Sequence, residues 1–370
     1  MLESNTGRIL ALANYPTFEP ERFFEAKQDM LKIRAITDPF EPGSVFKPLI
    51  LCGGIENDLF TPDTLIPYKP TVSVLGRVVT DGAHPIMAKD HASSGLVTAT
   101  MGITKSSNTC ANFVAQSIFA GKRLGGHEYG PANVVPYEGA GRLDVMLRSF
   151  GFGQYTGFDL GGTSGGESRG TLPDLAEWTK STKPNYAIRN VVPSIAQGYQ
   201  VQVTALQMLC CFNAIATGGV RMKPFVVDKV SARDGRVLFE QLPQVAGHSG
   251  ISPETAAQMR EMLENVVDDG TGQKAHIEGY RLAGKTGTAT ISTNGGYGEN
   301  ANTCSFVGFA PANDPRISAI VVARHPHKRK VNQYGYPLLP YGGSVAAPYL
   351  AEIVERTLVH LGVPRSKEDK

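Results

Sequence analysis

After Gly279 the hydrophobic period of the chain falls to two, and this change constrains the fold more than any other feature. Tyr280 to Thr290, Thr303 to Ala310 and Arg316 to Arg324 alternate as strands do. Only Pro311 to Pro315 separates the last two, too short a link for a crossover, so antiparallel pairing is expected. A final helix over Ser344 to Leu361 puts Leu350, Ile353, Val354, Leu358 and Leu361 on one face and stops at Gly362. Near the other end, Arg8 to Asn14 reads as a buried strand behind a turn at Asn5-Thr6-Gly7, with only Met1 to Ser4 left to pair with it. The expected class is therefore α+β. An antiparallel sheet flanked by helices comes from residues 1–43 and 271–370, and 44–270 form a mainly helical insertion.

Within that insertion the expected helices are Val45 to Cys52, ended by Gly53-Gly54, then Leu96 to Thr104, Thr109 to Phe119 and Leu143 to Phe150. Two more follow: Thr204 to Thr217, capped by Thr204, and one opening at Ser252-Pro253-Glu254 and closed by Gly270 and Gly272. Val72 to Thr80 with Asp81-Gly82 reads as a strand and turn, and Tyr15 to Pro42 as a loop around a short helix at Glu21 to Lys27. Gly121 to Gly141 is a Gly/Pro-rich loop. Gly161 to Gly170 is glycine-rich but lacks the Lys-Ser/Thr of a phosphate cradle, and Trp178 is expected to pack rather than stack on a ligand.

Composition removes several functions. With 41% hydrophobic and 19% charged residues in 370, the chain is globular. A net charge of +2 and a single short basic run, His327-Lys328-Arg329-Lys330, give no nucleic-acid footprint. The five cysteines lack metal spacing and read as buried thiols, and His325-Pro326-His327 is disfavoured as a zinc site by its proline and basic neighbours. No cofactor or metal is expected. No apolar run reaches the ~18 residues of a membrane span, nor does Met1 to Tyr15 resemble a signal peptide.

Chemistry concentrates at Glu41-Pro42-Gly43-Ser44-Val45-Phe46-Lys47-Pro48. Ser44 and Lys47 stand three residues apart at a helix start and share one face. A lysine so placed becomes the base that activates a serine when burial or a second cation lowers its pKa. Ser-x-x-Lys alone is weak, because chance supplies it about once in a chain this long. Here Ser106-Ser107-Asn108 and Lys285-Thr286-Gly287-Thr288 follow in order. That trio belongs to penicillin-binding proteins and serine β-lactamases.

These motifs, with Phe150-Gly151-Phe152-Gly153, Thr156-Gly157, Val203-Thr204-Ala205-Leu206-Gln207 and Ser305-Phe306-Val307-Gly308-Phe309-Ala310-Pro311, make the chain resemble the transpeptidase domain of a class B penicillin-binding protein of the division-septum type. The resemblance implies that Ser44 attacks the penultimate D-Ala of a peptidoglycan stem peptide and forms an acyl-enzyme. Lys47 takes the Ser44 proton, Ser106 hands it to the departing D-Ala, and Asn108 holds Lys47 and the substrate amide. Lys285 faces Ser106 and the terminal carboxylate, which Thr286 and Thr288 bind beside Gly287. The Ser44 and Thr288 N–H groups form the oxyanion hole. Lys285 is also expected to depress the pKa of Lys47.

The resemblance further implies inhibition by β-lactams, a membrane glycosyltransferase and division-complex proteins as partners, and a location on the extracytoplasmic, periplasmic face of the membrane. Such proteins carry an N-terminal membrane anchor and pedestal domain, so the chain is expected to be an excised part with Met1 near a truncation point. Two other readings compete: a class D-like serine β-lactamase or β-lactam sensor, and a non-catalytic division scaffold. Asn108 and the length of 370 residues speak against the first, and the intact set Ser44, Lys47, Ser106, Asn108, Lys285 and Thr288 against the second.

Overall fold

The computed structural model describes residues 1–74, 77–81, 86–87, 95–121, 138–160, 166–175, 186–293, 296–326 and 340–366. Trp178, most of Gly121 to Gly141, the start of the Gly161 to Gly170 run and residues 327–339 lie outside this set. So does His327 of the disfavoured zinc motif.

A four-stranded sheet forms the floor of the molecule. Its strands are β1 (Leu2–Glu3), β2 (Ala283–Thr293), β3 (Gly296–Ala310) and β4 (Ile317–Arg324), in the order β1-β4-β3-β2 and antiparallel throughout. The alternating C-terminal sequence thus forms the three strands expected of it, the middle one longer than the pattern suggested and the first shifted by three residues. β2 occupies an edge, which leaves its outer side to the helices.

At the N-terminus the expectation is corrected. Leu2–Glu3, not Arg8 to Asn14, pairs with Ser318 and Ile317 of β4, while Arg8 and Ile9 make only isolated bridges and Leu12 is exposed. A strand of two residues is held by more than its ladder. Asn213 donates to the Ser4 carbonyl at 3.0 Å and accepts from the Ser318 hydroxyl at 2.9 Å, and the Ser4 and Ser318 hydroxyls lie 3.3 Å apart. All three side chains are buried, so each polar atom needs its partner.

The α-helices of six residues or more among the described residues are α1 (Lys47–Glu56), α2 (Ala99–Thr104), α3 (Asn108–Ala120), α4 (Glu138–Ser149), α5 (Tyr186–Ala196), α6 (Ala205–Ala216), α7 (Pro253–Asp268) and α8 (Ala347–His360). α1 is buried on every side from Lys47 to Ile55, as the apolar sequence after Lys47 requires. Its glycines do not stop it. A Cβ on Gly53 would collide with the Met146 thioether of α4, and one on Gly54 with the Phe60 ring, so Gly53-Gly54 allow close packing inside the helix. Glu56 near its end accepts from the Ser252 N–H at 2.8 Å, the Ser252 hydroxyl at 2.9 Å and the Thr255 hydroxyl at 2.6 Å, tying α1 to the start of α7. α7 is tied to the sheet by the Glu264–Arg281 pair, bidentate at 2.6 and 2.7 Å.

Two of the quoted motifs are structural. Phe152 packs on Phe46, one residue before α1, with ring centroids 5.3 Å apart. Thr204 and Gln207 form a capping box at the start of α6, and Val203 exchanges hydrogen bonds with Phe40 at 2.9 and 3.0 Å. The segment entering the Ser44 turn is thereby fixed.

The insertion is also less purely helical than expected. Val72 to Thr80 is a hairpin of Thr71–Val74 and Arg77–Thr80, and Leu96–Thr98 is a strand that precedes α2. Glu21 to Lys27 is a 3₁₀ segment at Pro20–Glu25. Four cysteines are buried thiols, whereas Cys210 is partly exposed. Asn213→Ala, which removes the side-chain donor to the Ser4 carbonyl and the acceptor of the Ser318 hydroxyl, should lower stability by about 1–3 kcal/mol in a urea titration.

Candidate active site

Ser44 lies in a 3₁₀ turn, Gly43–Phe46, that runs directly into α1. In a 3₁₀ turn residues three apart eclipse one another, so Ser44 and Lys47 sit on the same side, and the Ser44 carbonyl accepts from the Lys47 N–H. Gly43 has φ of 58°, a left-handed conformation that favours glycine, and a Cβ there would lie 3.0 Å from the Thr288 carbonyl of β2. Gly287 faces the same turn: its Cβ would come within 3.0 Å of the Pro42 carbonyl and 2.9 Å of Val45. The mid-strand glycine therefore marks the close approach of another backbone, and it seats the Ser44 turn against the edge of the sheet.

Ser106 falls in the bend between α2 and α3 with φ of 61°. A serine in that region carries about 1–3 kcal/mol of strain. The bend presents its hydroxyl to two lysines at once: Lys285 Nζ at 2.9 Å and Lys47 Nζ at 3.4 Å. Lys47 also donates to the Ser106 carbonyl. Lys285 donates further to the Thr286 carbonyl at 3.2 Å and the Thr286 hydroxyl at 3.4 Å. Both lysines are 0% exposed, which is where an ammonium is least stable.

Burial pushes Lys47 down to about 8, while the Asp81 carboxylate and the Cys110 thiol act weakly in the opposite direction. Lys285 is also lowered well below its ordinary value, by burial first and then by the charge of Lys47. Burial is thus the leading cause for both amines, and the repulsion between them, expected from the sequence, adds to it. Two ammonium groups on one buried hydroxyl repel, so the pair titrates as a unit. Lys285, with three acceptors, has the better surroundings for the shared proton.

Among the described residues Lys47 donates to Ser106 and makes no hydrogen bond to Asn108. The Asn108 amide donates to the Thr80 carbonyl at 2.8 Å, so the bend is braced against the hairpin instead. The carboxylate beneath the bend is Asp81, which accepts from the Ser107 hydroxyl at 3.1 Å, the Thr109 N–H at 3.0 Å and the Tyr68 hydroxyl at 2.9 Å. In sequence Asp81 carries only a turn signal. Nothing local ties it to a serine 26 residues on. Of the two remaining threonines, Thr288 accepts from the Gly342 N–H at 2.9 Å, and Thr286 meets the Thr271 hydroxyl at 2.6 Å. Ser44 makes no side-chain hydrogen bond among the described residues, and it is partly exposed. Those residues also contain no cluster able to hold a metal ion.

A partly exposed serine one turn from a buried lysine, against the edge of an antiparallel sheet, is an arrangement that suits acyl transfer through a serine. Comparison with known proteins agrees: residues 1–355 match the family described as penicillin-binding protein transpeptidase domain. The chain belongs to that family. This transpeptidase domain is 32% identical to the penicillin-binding protein PbpB of Mycolicibacterium smegmatis over 379 residues, covering 100% of the chain and 51% of that protein. It is 30% identical to stage V sporulation protein D of Bacillus subtilis, covering 99% of the chain and 50% of that protein. The domain thus spans about half the length of the curated relatives it matches. Penicillin-binding protein 3 of Mycobacterium tuberculosis, solved with aztreonam, superposes with a TM-score of 0.75 at 30% identity, over 100% of this chain and 73% of that one.

Gly287→Ala would drive a methyl into the Ser44 turn. The expected loss is about 1–3 kcal/mol of stability, read by chemical denaturation.

Proposed function

We propose that the chain is a serine D,D-transpeptidase domain that cross-links peptidoglycan stem peptides and is acylated by β-lactams. The observation that carries this reading is the shared contact on Ser106 of Lys285 and of Lys47, the lysine one helical turn from a partly exposed Ser44. Neutral Lys47 takes the Ser44 proton as Oγ attacks the penultimate D-Ala carbonyl. The Ser44 and Thr288 N–H groups hold the oxyanion, a contribution of about 3 kcal/mol for one such donor in a comparable enzyme.

The proton then leaves Lys47 through Ser106 to the departing amine as the peptide bond breaks. An amine from a second strand attacks the acyl-enzyme, an amide forms, and Ser44 recovers its proton. Lys285 with Thr286 and Thr288 binds the terminal carboxylate, and Gly287 between them lets the Ser44 turn seat against their strand. Asn108 braces the Ser106 bend and reaches the substrate amide from its partly exposed position.

The same reading assigns residues 1–43 and 271–370 to a sheet part and 44–270 to a mainly helical part, with the site between them. It places the domain on the extracytoplasmic face of the membrane, working with a membrane glycosyltransferase and division proteins. Among the described residues no helix is long and apolar enough to cross a membrane, so any anchor belongs to a segment other than these.

A fluorescent penicillin should leave a stable adduct on Ser44, seen by gel and intact mass, that is absent from Ser44→Ala. An adduct that forms and rapidly disappears would indicate a β-lactamase instead, and a folded chain that never labels would sink the catalytic reading. The pH dependence has a defined sign. Lys47 acts only when neutral, so acylation should rise roughly tenfold per pH unit below about 8 and level off above it.

A further inference from the structure

The turn Asp269 to Gly272, which closes α7, touches both walls of the cleft. Towards the helical wall, the Thr271 N–H donates to the Thr104 carbonyl at 3.3 Å, two residues before Ser106. Lys105 Nζ donates to the Asp269 carbonyl at 2.8 Å and its carboxylate at 3.1 Å. Towards the sheet wall, the Thr271 and Thr286 hydroxyls stand 2.6 Å apart. Gly343 leaves the turn room, because a Cβ there would come within 2.5 Å of the Thr271 carbonyl.

A threonine hydroxyl has one proton and two lone pairs. On Thr288 the Gly342 N–H takes one lone pair, so the proton remains free for an anion. On Thr286 the Lys285 ammonium takes one lone pair, and the 2.6 Å contact with Thr271 must use one of the two hydroxyl protons of that pair. One proton is therefore consumed inside the pair and one is left to donate. Thr271 and Thr286 behave as a single oriented donor beside a cation, next to the similarly fixed Thr288.

We propose that Thr271 is a positioning residue of the carboxylate subsite, holding the Thr286 hydroxyl so that the acyl donor's terminal carboxylate meets a pre-aimed O–H beside Lys285. This rests on the transpeptidase reading above, with substrates that are anionic at the C-terminus. The test compares Thr271→Val, which keeps the shape and removes the hydroxyl, with Thr271→Ser, which keeps the hydroxyl. Each is acylated with a penicillin bearing its carboxylate and with the methyl ester of the same penicillin, and Ser44 adduct formation is timed by intact mass.

Thr271→Val should slow acylation by the carboxylate form about tenfold or more, as loss of a hydrogen bond serving a charged group implies. Acylation by the ester should stay within about twofold of the unaltered chain, and Thr271→Ser should recover most of the rate. Equal slowing with both donors would make Thr271 merely structural and overturn the proposal. So would an unchanged rate in Thr271→Val, or a Thr271→Ser variant as slow as Thr271→Val. If the unaltered chain forms no adduct with either donor, the transpeptidase reading itself falls and takes this inference with it, an outcome recognisable without any substitution at position 271.

Discussion

Two buried amines meeting on one hydroxyl hold the site together. Lys285 comes from the edge of the sheet and Lys47 from the most buried helix, and Ser106, at the bend between two other helices, accepts from the first at 2.9 Å and the second at 3.4 Å. Neither amine could be buried without acceptors of this kind. Fulfilling that requirement brings sheet and helices into register around Ser44. The strained backbone at Ser106 is one cost of the arrangement, and the braces at Asn108 and Asp81 hold it.

Most of the site was legible because its chemistry needs particular residue types at fixed local spacings. Ser44 and Lys47 lie one turn apart, and Lys285 to Thr288 lie on one strand, so short motifs capture both. The links between these pieces were less legible. Asp81 reaches Ser107 only because a hairpin folds back beneath α3, and Thr271 reaches Thr286 across the end of α7. Asn108 was assigned to Lys47 by resemblance, yet its amide nitrogen turns to the Thr80 carbonyl. A side chain's type can be read from sequence, whereas its partner depends on packing.

The fold divides in the same way. The C-terminal strands declared themselves through their strand-forming residues and the short link between the last two, although the central strand is covered on both faces, with Thr303 to Ala310 buried throughout. Gly53-Gly54 misled because a glycine pair that admits a neighbouring helix resembles one that ends its own helix, and only the position of Met146 and Phe60 distinguishes the two. Arg8 to Asn14 misled because a short apolar run does not reveal whether it pairs. The edge it would have taken is filled by Leu2–Glu3, which Asn213 holds from below.

The two-residue strand at the start of the chain also bears on the order of assembly. Ser4 and Ser318, its partner across the sheet, are 314 residues apart. Lys47 and Ser106 are 59 residues apart, and Ser106 and Lys285 179. Contacts of long separation form late, because the loops they close carry the largest entropic cost. As the ribosome releases the chain, the Ser44 turn and the Lys47–Ser106 half of the site can assemble while the sheet still lacks three of its four strands. Ser44 thus leaves the ribosome early and waits for Lys285, which follows Ser106 by 179 residues, before the two-lysine contact can close.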